Sequence, residues 1–472
     1  MDNFTTGQNK RNSLIITGLG AFLGTLDSSI VNVSLPTIST AMNSSIDLVG
    51  WVVLAYAITI VSLLLVFGAL AEKKGFGFTY KYGFIIFMTG SLLCGSSVNI
   101  YFLIFSRMLQ GIGAALLMAV GPALITRSFP ESERGRGLSV IAMVVSIGLM
   151  MGPPLGGFII GWIGWRWIFL INIPVSLIGF IFSSKSLKNY PKINPDRKIF
   201  IPGAGSLATG LFIFMIGIFL YGRTIVSIEM FGLILLISAA LFALFIYFEN
   251  KPSTRLIGMD IFKNRTFSLS TLAMFLVFIS LASVTILMPF YLERIKLLVP
   301  QDVGLYLMII PVSTFFIAPL AGYLADKIQA RIISTIGIAI MIVGIFLLRF
   351  LGNDSTLMRI SVNLGLIGVG MGLFTTPNTS SIMGSVRRFN LGVASGINAT
   401  TRTLGIAFGV GLAIAAFEYF KILNIQGGSD VIEAFVISYR TVYSYVIVIL
   451  VPSLIFSLLR GNQKRRIDGD HA

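Results

Sequence analysis

Three charged side chains lie inside long apolar stretches of the sequence and mark the chemistry available to it: Asp27, Arg107 and Arg402. A charge within hydrocarbon costs roughly 2.5 to 3.5 kcal/mol even on a lenient insertion scale, so we expect such a group to face a cavity and to be able to change its protonation. The single cysteine, Cys94, and the single histidine, His471, exclude an internal disulfide, Cys/His zinc sites and Ser-His-Asp triads. We therefore expect no enzymatic catalysis, no metal site and no cofactor.

The composition indicates what surrounds these charges. The 472 residues are 55% hydrophobic and only 11% charged, whereas about 25% of the residues in an average soluble domain are charged. The formal net charge is +16 and the mean hydropathy is +0.90. This combination excludes a soluble globule, and it indicates basic residues at the rims of membrane spans rather than a nucleic-acid partner.

Fourteen stretches of the chain are long and apolar enough to cross a bilayer as helices, which takes about 20 residues each. A helix satisfies its own backbone hydrogen bonds in hydrocarbon, so the sequence predicts an all-α membrane protein with fourteen spans. The first stretch is too long for the core of a cleaved signal peptide, roughly 7 to 15 residues. The predicted spans lie near residues 13–38, 47–71, 79–98, 101–126, 137–161, 165–184, 201–221, 228–248, 266–292, 302–325, 331–350, 357–383, 393–420 and 438–460.

The positions of the basic residues test this assignment independently of hydropathy. With a cytoplasmic N-terminus, 25 of the 35 Lys and Arg residues fall in cytoplasmic segments, as the positive-inside rule requires. We expect a multi-pass protein of the cell (inner) membrane with both termini in the cytoplasm. The longest predicted loops, 249–265 and 421–437, are too short for a soluble domain, and no phosphate-binding G-x-x-x-x-G-K-[ST] loop occurs. Any uphill transport would need an ion gradient or a partner's ATPase.

A short internal repeat divides the chain. The segment Gly68 to Lys73 (GALAEK) recurs as Gly322 to Lys327 (GYLADK). Two six-span halves explain this spacing if the two spans between them are an insertion. We predict an N-terminal six-helix bundle at 13–185, a linker with two additional membrane helices at 186–265, a C-terminal six-helix bundle at 266–460 and a basic cytoplasmic tail at 461–472.

Four local patterns are similar to those of a known family. Leu26 to Pro36 reads L-D-S-S-I-V-N-V-S-L-P, which resembles the L-D-x-[ST]-I-V-N-V-A-L-P signature of the fourteen-span drug:proton antiporters in the major facilitator superfamily. Arg107 to Ala115 matches R-x-x-Q-G-x-G-A-A, and Gly148 to Gly157 matches the G-x-x-x-G-P-x-x-G-G pattern associated with antiporters. The loop pattern G-x-L-A-D-[RK]-x-G-[RK]-[RK] occurs twice, with departures. This resemblance covers nearly the whole chain and implies the major facilitator fold, with two six-helix bundles plus two extra transmembrane helices.

The mid-membrane position of Asp27 favours a proton site, and the resemblance implies that Arg107 takes part in the same proton transfer. Asp27 lies about 21 Å along its predicted helix, close to the membrane midplane. A guanidinium beside a carboxylate favours the ionised carboxylate, so separating the two would admit a proton. Two packing roles stay open at this point. Asp27 could be fixed by hydrogen bonds to Ser28, Thr25 or Asn32, and Arg107 could be a strut bonded to backbone carbonyls of neighbouring helices.

The glycine-rich pattern of the fifth predicted span implies a tightly packed, kinked helix. Glycines four residues apart let helices approach closely, and proline removes a backbone donor and bends the helix. Such a seam can seal against proton leak, and the full pattern favours export over symport. Its residues are Gly148, Gly152, Pro153, Gly156 and Gly157.

The repeated loop pattern predicts an inner gate, in which acidic and basic groups at helix ends hold neighbouring helices in one conformation. Anchoring by the positive-inside rule alone is the alternative. The first copy has Glu72 in place of Asp, and the second has Gln329 in place of Gly. The gate residues are Gly68, Glu72, Lys73, Gly75, Asp326, Lys327 and Arg331.

Four polar residues within spans are candidates for the substrate cavity: Asn32, Gln110, Asn398 and Arg402. Arg402 and Glu418 could tune the charge of the cavity or could be packing and rim residues. Because Asp27 is the one carboxylate placed firmly at mid-membrane, we expect monocationic or neutral substrates rather than dications. Phe, Met and Leu in the cavity-facing spans would accept many shapes without fixed hydrogen bonds.

These features together predict a proton-coupled antiporter that exports amphipathic or hydrophobic compounds, that is, multidrug efflux by alternating access. The energy source would be the proton gradient, and the partners would be small amphipathic substrates, protons and the lipid bilayer, with no nucleic acid. We expect a monomer. Three alternatives on the same scaffold stay open: export of an endogenous lipid or metabolite, proton symport of a nutrient, and a sensor that does not transport.

Overall fold

The computed structural model of the chain describes residues 7–130, 133–187, 201–222, 226–250, 259–386 and 391–461. Within this part, apolar segments form helices, as they must where the backbone has no water to bond with. A 3-10 helix covers Met259–Lys263. The α-helices are α1 (Gly7–Ala41), α2 (Ile46–Lys74), α3 (Phe76–Gly95), α4 (Ile100–Ala119), α5 (Gly121–Ser128), α6 (Arg134–Trp162), α7 (Trp167–Leu170), α8 (Asn172–Ser186), α9 (Ile201–Gly222), α10 (Ile228–Glu249), α11 (Arg265–Arg294), α12 (Pro300–Leu307), α13 (Ile309–Lys327), α14 (Ala330–Leu348), α15 (Leu357–Gly384), α16 (Leu391–Gln426) and α17 (Val431–Leu459).

Three of the predicted spans are divided into two helices each, and every division comes just before a proline. The span at 101–126 comprises α4 and α5, the span at 165–184 comprises α7 and α8, and the span at 302–325 comprises α12 and α13. Pro122, Pro174 and Pro311 lie in the first turn of the second helix of each pair. A proline is tolerated there because the first turn has no carbonyl partner for its missing N–H.

Twelve helices of the described residues are long and apolar enough to cross a membrane. The predicted count of fourteen spans is therefore not supported by this measure. The two predicted spans that are missing, 79–98 and 201–221, coincide with α3 and α9. The first turns of α3 carry Thr79 and Lys81, which lower its hydropathy, and the apolar segment described within α9 is Pro202–Phe214.

One predicted loop is wrong. The sequence predicts a loop between spans at 421–437, but α16 continues to Gln426 and α17 already begins at Val431. The connection is the short turn 427–430, in which Gly428 has a φ of 93° and Asp430 caps α17 by accepting a bond from the Ile432 N–H. Hydropathy marks where the chain leaves hydrocarbon, whereas a helix ends where its backbone bonds end, so the two boundaries differ.

The helices pack in two groups, one before α9 and one after α10. In the first group α1 packs on α6, α2 on α4, and α3 on α4 and α8. In the second group α11 packs on α16 and α17, α14 on α15, and α13 on α15. We call the side at which α1 begins the near face and the side at which it ends the far face. The exact boundaries predicted for the two bundles and the linker, 13–185, 186–265 and 266–460, remain predictions, and residues 462–472 of the predicted tail lie outside the described residues.

Helices α9 and α10 pack on one another, and α9 also touches both groups. Its Ala208 carbonyl accepts a bond from Ser62 of α2 at 3.4 Å, and its Phe214 ring lies 5.2 Å from the Phe408 ring of α16. α10 buries little of its surface in the protein. The pair therefore covers the line where α2 and α16 meet, with α10 outermost.

Arg460 closes the near face of the second group. Its side chain is 1% exposed, and Nη1 donates to Asn378 Oδ1 at 2.6 Å and to Ser270 Oγ at 3.4 Å. Nη2 donates to Ser334 Oγ at 3.1 Å. One guanidinium thus joins the end of α17 to α11, α14 and α15.

We expect Arg460→Met to lower the melting temperature of the protein. The change leaves the Asn378 and Ser334 side chains buried without their donor, at about 1 to 3 kcal/mol for each unsatisfied group. Thermal denaturation in detergent, followed by size-exclusion chromatography, measures the loss. Arg331→Met is the matched control, because Arg331 is less buried and its hydrogen bonds are long, at 3.4 and 3.5 Å. Equal melting temperatures for wild type and Arg460→Met would contradict the role given to this residue.

Candidate functional site

Asp27 lies at the centre of a buried polar cluster in the first group of helices. The side chains of Asp27 and Arg107 are both 0% exposed, and Arg107 Nη1 donates to Asp27 Oδ2 at 2.5 Å. Asp27 Oδ1 accepts two amide bonds of 2.8 Å, from Gln110 Nε2 and from Asn172 Nδ2. The Asp27 carboxylate of α1 therefore accepts hydrogen bonds from three side chains, two on α4 and one on α8.

Arg107 is held by more than the carboxylate. Its Nε donates to the Val52 carbonyl of α2 at 2.9 Å, and its guanidinium carbon lies 3.9 Å from the centroid of the Tyr56 ring. Nη1 also donates to Gln110 Oε1 at 2.5 Å, whereas Nη2 is buried without a partner among the described residues. Arg107 thus bonds to a backbone carbonyl of a neighbouring helix, as its packing role predicts. It also contacts the Asp27 carboxylate, as its role in proton transfer predicts.

The hydrogen bonds suggested for Asp27 on its own helix are wrong. Ser28 donates to the Gly24 carbonyl and Thr25 to the Ala21 carbonyl, and Asn32, one turn further along α1, is partly exposed. Hydroxyls within a helix bond readily to a carbonyl one turn earlier, which takes them away from Asp27. The structure brings together Asp27, Arg107 and Gln110, and it places Asn32 outside this cluster.

Asp27 and Arg107 form a charge pair that is buried away from water. Ionised, the carboxylate is stabilised by the guanidinium and two amides in a dry interior where such interactions are strong. Among the side chains that the structure describes, no group of three or more His, Cys, Asp or Glu residues is placed to hold a metal ion.

Two members of the cluster were missed in the sequence. Asn172 follows Ile171 within an apolar stretch, and Tyr56 lies in the middle of the second predicted span. A buried amide in hydrocarbon must find a partner, which was the available signal for Asn172. No local signal connects Tyr56 to Arg107, since the contact depends on how α2 packs against α4.

The glycine-rich motif of α6 has two separate functions in packing. A Cβ on Gly148 or Gly152 would collide with the side chains of Thr25 or Ser29, and one on Gly156 would lie 2.9 Å from Ile30. These three glycines therefore bring α6 against α1, the helix that carries Asp27. Ser29 Oγ donates to the Leu149 carbonyl at 3.0 Å across this contact.

The last glycine of the motif faces the other group of helices. A Cβ on Gly157 would lie 2.5 Å from the Pro300 carbonyl oxygen and 3.0 Å from the Gln301 Cα. A Cβ on Gly304 would in turn collide with the Pro153 carbonyl. The far end of α6 and the beginning of α12 therefore touch backbone to backbone, which only glycines allow.

Two further contacts join the groups at the far face. Arg294, the last residue of α11, donates from Nη2 to Ser39 Oγ of α1 at 3.0 Å. Ile414 of α16 occupies the space beside Gly50 of α2, where a Cβ would collide with it. At the near face the structure leaves open space beside Gly68 of α2 and Gly396 of α16, with nothing within 4 Å of an added Cβ. The far face is closed in this conformation.

The remaining cavity candidates lie on α16. Asn398 and Arg402 are one turn apart and partly exposed, and Asn398 Oδ1 is buried without a hydrogen-bond partner in the described part of the chain. The Arg402 guanidinium carbon lies 5.9 Å from the centroid of the Phe278 ring of α11. Glu418 is bonded to Lys421 at 2.7 and 2.8 Å, so it is a paired rim group and not a second free carboxylate.

The predicted inner gate is described only in part. Gly75 separates α2 from α3 with a φ of 98°, which requires glycine. The Lys327 Nζ lies 4.5 Å from the Tyr323 ring centroid, and Arg331 Nη1 donates to the Leu458 carbonyl. Lys73 is partly exposed near the end of α2. The side chains of Glu72 and Asp326 lie outside the described ones, so a latch between acid and base stays a prediction.

The sequence matches the family model described as Major Facilitator Superfamily over residues 17–410. This range covers α1 through most of α16 and includes both the Asp27 cluster and Arg402. The chain therefore belongs to the Major Facilitator Superfamily. It is a multi-pass membrane transporter and not an enzyme.

Several transporters share this sequence along most of its length. The riboflavin transporter RibZ of Clostridioides difficile is 35% identical over 84% of this chain and 86% of its own length. The multidrug resistance protein Stp of Mycobacterium tuberculosis is 30% identical over 86% of this chain and 76% of its own. The multidrug transporter protein MdtP of Bacillus subtilis is 28% identical over 86% and 75%.

Solved structures show the same fold at low identity. A crystal structure of a bacterial homologue of the human lysosomal transporter Spinster matches 96% of this chain and 97% of its own, with a TM-score of 0.67 at 15% identity. A crystal structure of a point mutant of the nucleoside transporter NupG matches 95% of this chain and 99% of its own, with a TM-score of 0.62 at 12% identity. At this identity the likeness concerns the fold alone.

Proposed function

We propose that this protein is a proton-coupled antiporter that exports amphipathic or hydrophobic compounds by alternating access, of the fourteen-span multidrug type. The proposal rests on the fully buried Asp27 carboxylate, which is paired with Arg107 of α4. Asp27 itself lies on α1, the helix that packs against α6. A buried carboxylate that can exchange its partners is a means of coupling a proton to a conformational change.

The packing offers a path from the proton site to the interface between the groups. α1 carries Asp27 and lies on Gly148, Gly152 and Gly156 of α6, while Gly157 of the same helix abuts Pro300 of α12. Opening the far face would move α6 away from α12 and shift its contact with α1. The environment of Asp27 would then change with the position of the two groups, as alternating access requires.

The proton gradient is sufficient as the energy source, and no cofactor is needed. A membrane potential supplies about 2.3 kcal/mol per charge per 100 mV, and tenfold accumulation of a substrate costs about 1.4 kcal/mol. One proton per cycle therefore supports a concentration ratio of more than tenfold.

The membrane arrangement belongs to the same proposal. We take the near face as cytoplasmic because basic residues such as Lys10, Lys73 and Lys327 lie there, which puts a monomer in the cell (inner) membrane with both termini inside. We also take α3 and α9 as spans, since α3 packs along α4 and α8, and α9 along α2, α10 and α16. This gives fourteen spans.

A second candidate is transport of a single metabolite. It is favoured by the 35% identity to a protein named as a riboflavin transporter, which is higher than the 30% and 28% to the proteins named for multidrug resistance or transport. Export of an endogenous compound and proton symport would both use the Asp27 site. Export of one compound differs from multidrug efflux in its substrate range, and symport differs in the direction of substrate movement.

Proteoliposomes with an acidic lumen distinguish these functions. Purified protein is exposed to tetraphenylphosphonium, riboflavin and a panel of amphipathic dyes while the lumenal pH and the substrate are followed together. We expect several chemically unrelated compounds to enter as protons leave the lumen. Riboflavin alone would support the metabolite transporter, proton movement in the same direction as substrate would indicate symport, and no movement of either would overturn the proposal.

A further inference from the structure

Arg402 is placed to meet a ligand within the second group of helices. It shares one face of α16 with Asn398, one turn earlier, and with Gly405 and Gly409, one and two turns later. The two glycines lie against α11, since a Cβ on Gly405 would come within 2.8 Å of Phe278 Cβ. α11 also packs on α1, the helix of Asp27, so this face lies beside the interface between the groups.

The charges of the described spans leave Arg402 uncompensated. Arg107 is paired with Asp27, and Lys421 is paired with Glu418. Arg402 makes no ion pair and no hydrogen bond within the described part of the chain, and its guanidinium lies against the Phe278 ring. Glu418 lies roughly 24 Å further along the helix axis, which is too far for a contact.

A polar neighbour of Arg402 is also unsatisfied. Asn398 Oδ1, on the same face of α16, is buried without a hydrogen-bond partner among the described residues. Arg402 itself keeps part of its surface accessible, so a ligand can reach its guanidinium. Buried polar groups in native proteins are almost always bonded, so an unbonded amide oxygen beside an unpaired guanidinium marks a place that a ligand completes.

We propose that Arg402 binds an anionic group of the transported compound, with Asn398 Oδ1 accepting from a hydroxyl or N–H donor of the same compound and Phe278 as an apolar wall. A carboxylate matches the planar fork of a guanidinium, and an aromatic body would stack on Phe278. The proposed substrate class is therefore amphipathic organic acids, which differs from the expectation of monocationic or neutral substrates made from the sequence. The inference rests on the proposed transport function and names its substrate.

Packing alone does not account for this cation. An arginine retained only as a strut bonds to backbone carbonyls or hydroxyls, as Arg107 does with Val52 and Arg460 does with Ser334. Arg402 has neither kind of partner within the described residues. A methionine of similar length would fill the same space without the cost of burying a charge.

Binding of three matched pyrene probes tests the proposal. The probes are 4-(1-pyrenyl)butyrate, 4-(1-pyrenyl)butanol and 4-(1-pyrenyl)butylamine, which share one apolar body and differ in the charge of the end group. Binding to the full chain in lipid nanodiscs is measured by fluorescence without any proton gradient, after subtraction of empty nanodiscs. We expect the wild-type protein to bind the acid at least tenfold more tightly than the amine, with the alcohol between them.

Variants test whether Arg402 causes the preference for the acid probe. Arg402→Met is expected to bring the acid-to-amine ratio close to one, and Arg402→Lys to retain part of it. Arg359→Met is the matched control, because Arg359 is exposed at the start of α15, and it should keep the wild-type ratio. A wild-type protein that binds no butyrate probe, binds acid and amine equally, or prefers the amine overturns the proposal even if Arg402→Met does not fold. An unchanged ratio in a folded Arg402→Met protein overturns it as well.

The binding test and the transport test fail separately. Acid-selective binding that depends on Arg402, combined with no proton exchange in proteoliposomes, would refute the antiport function and keep the binding site. Proton-coupled transport of cations without selectivity for acids would keep the antiport function and refute the site.

Discussion

Asp27→Asn is expected to abolish uphill transport, so that the accumulation ratio in proteoliposomes falls to about one, the value at equilibrium without coupling. An asparagine cannot exchange a proton, yet it keeps the size of the side chain and one oxygen that can accept the bonds from Gln110 and Asn172. Substrate should still move down its own gradient. The measurement is substrate uptake with and without an imposed pH gradient.

The same change has a structural cost that the experiment must separate from coupling. Asp27 is the carboxylate paired with Arg107, and its loss leaves a fully buried guanidinium without a counter-charge. Breaking a buried pair by removing one partner typically costs about 3 to 5 kcal/mol. We therefore expect Asp27→Asn to lower the melting temperature, and the double variant Asp27→Asn/Arg107→Gln to recover part of it without recovering coupling.

Controls make this prediction specific to the cluster. Asp354→Asn removes an exposed carboxylate from the loop before α15 and should leave both stability and uphill transport unchanged. Uphill transport by Asp27→Asn at the wild-type level would show that the proton travels elsewhere. Restored coupling in the double variant would give the same answer, since that protein has neither charge.

Gly157→Val is expected to hold the far face open and to stop turnover. The new side chain would occupy the space of the Pro300 carbonyl and the Gln301 backbone, and backbone atoms on both sides cannot rotate away as a side chain can. The conformation described here would become inaccessible, while the opposite conformation, in which α6 and α12 separate, would be free of the clash. Transport should fall by at least tenfold.

Cysteine labelling measures this shift directly. The chain has a single cysteine, Cys94, which is buried, so Cys94→Ser gives a background without reactive thiols. Ile414→Cys then reports on the contact between α2 and α16 at the far face, where Ile414 is 1% exposed. A membrane-impermeant maleimide added from the far side should label this reporter roughly tenfold faster when Gly157→Val is present.

Two other glycines serve as comparisons for this result. Gly232→Val lies on α10 with nothing within 4 Å of an added Cβ, and it should change neither labelling nor transport. Gly148→Val disturbs the contact of α6 with α1 inside the first group, so it should reduce stability without exposing Ile414→Cys. Equal labelling of the reporter with and without Gly157→Val would mean that the contact of α6 with α12 does not control the far face.

Much of the architecture could be predicted because the hydrocarbon core of a bilayer constrains each stretch of about 20 residues independently of the rest of the chain. Each predicted span coincides with one helix or with a pair of helices, and the three interruptions come at Pro122, Pro174 and Pro311. The differences concern the helix ends and the number of spans. α16 and α17 extend beyond their apolar segments because hydropathy does not measure where a helix ends. α3, with polar first turns, and α9, with a short described apolar segment, are not among the twelve described helices that are long and apolar enough to cross a membrane.

Only those residues of the candidate site that are unusual by themselves could be predicted from the sequence. Asp27, Arg107 and Arg402 are conspicuous because a charge is rare in hydrocarbon. Asn172 and Tyr56 are not, since amides and phenols occur in membrane helices for many reasons. The pattern of Gly148 to Gly157 predicted close packing, but it did not reveal that the first glycines face α1 and the last faces α12.

The sequence by itself therefore determined that this protein spans a membrane, where its helices run and which charges have to be accounted for. Each of these follows from the free energy of transferring single side chains, or short runs of them, from water to hydrocarbon. Only the tertiary structure decided the partners: Asp27 meets Arg107, Gln110 and Asn172, which are 80, 83 and 145 residues away in the chain, and Arg402 meets no counter-charge among the described residues. Contacts over such separations depend on how whole helices pack against each other, and no local pattern encodes that packing.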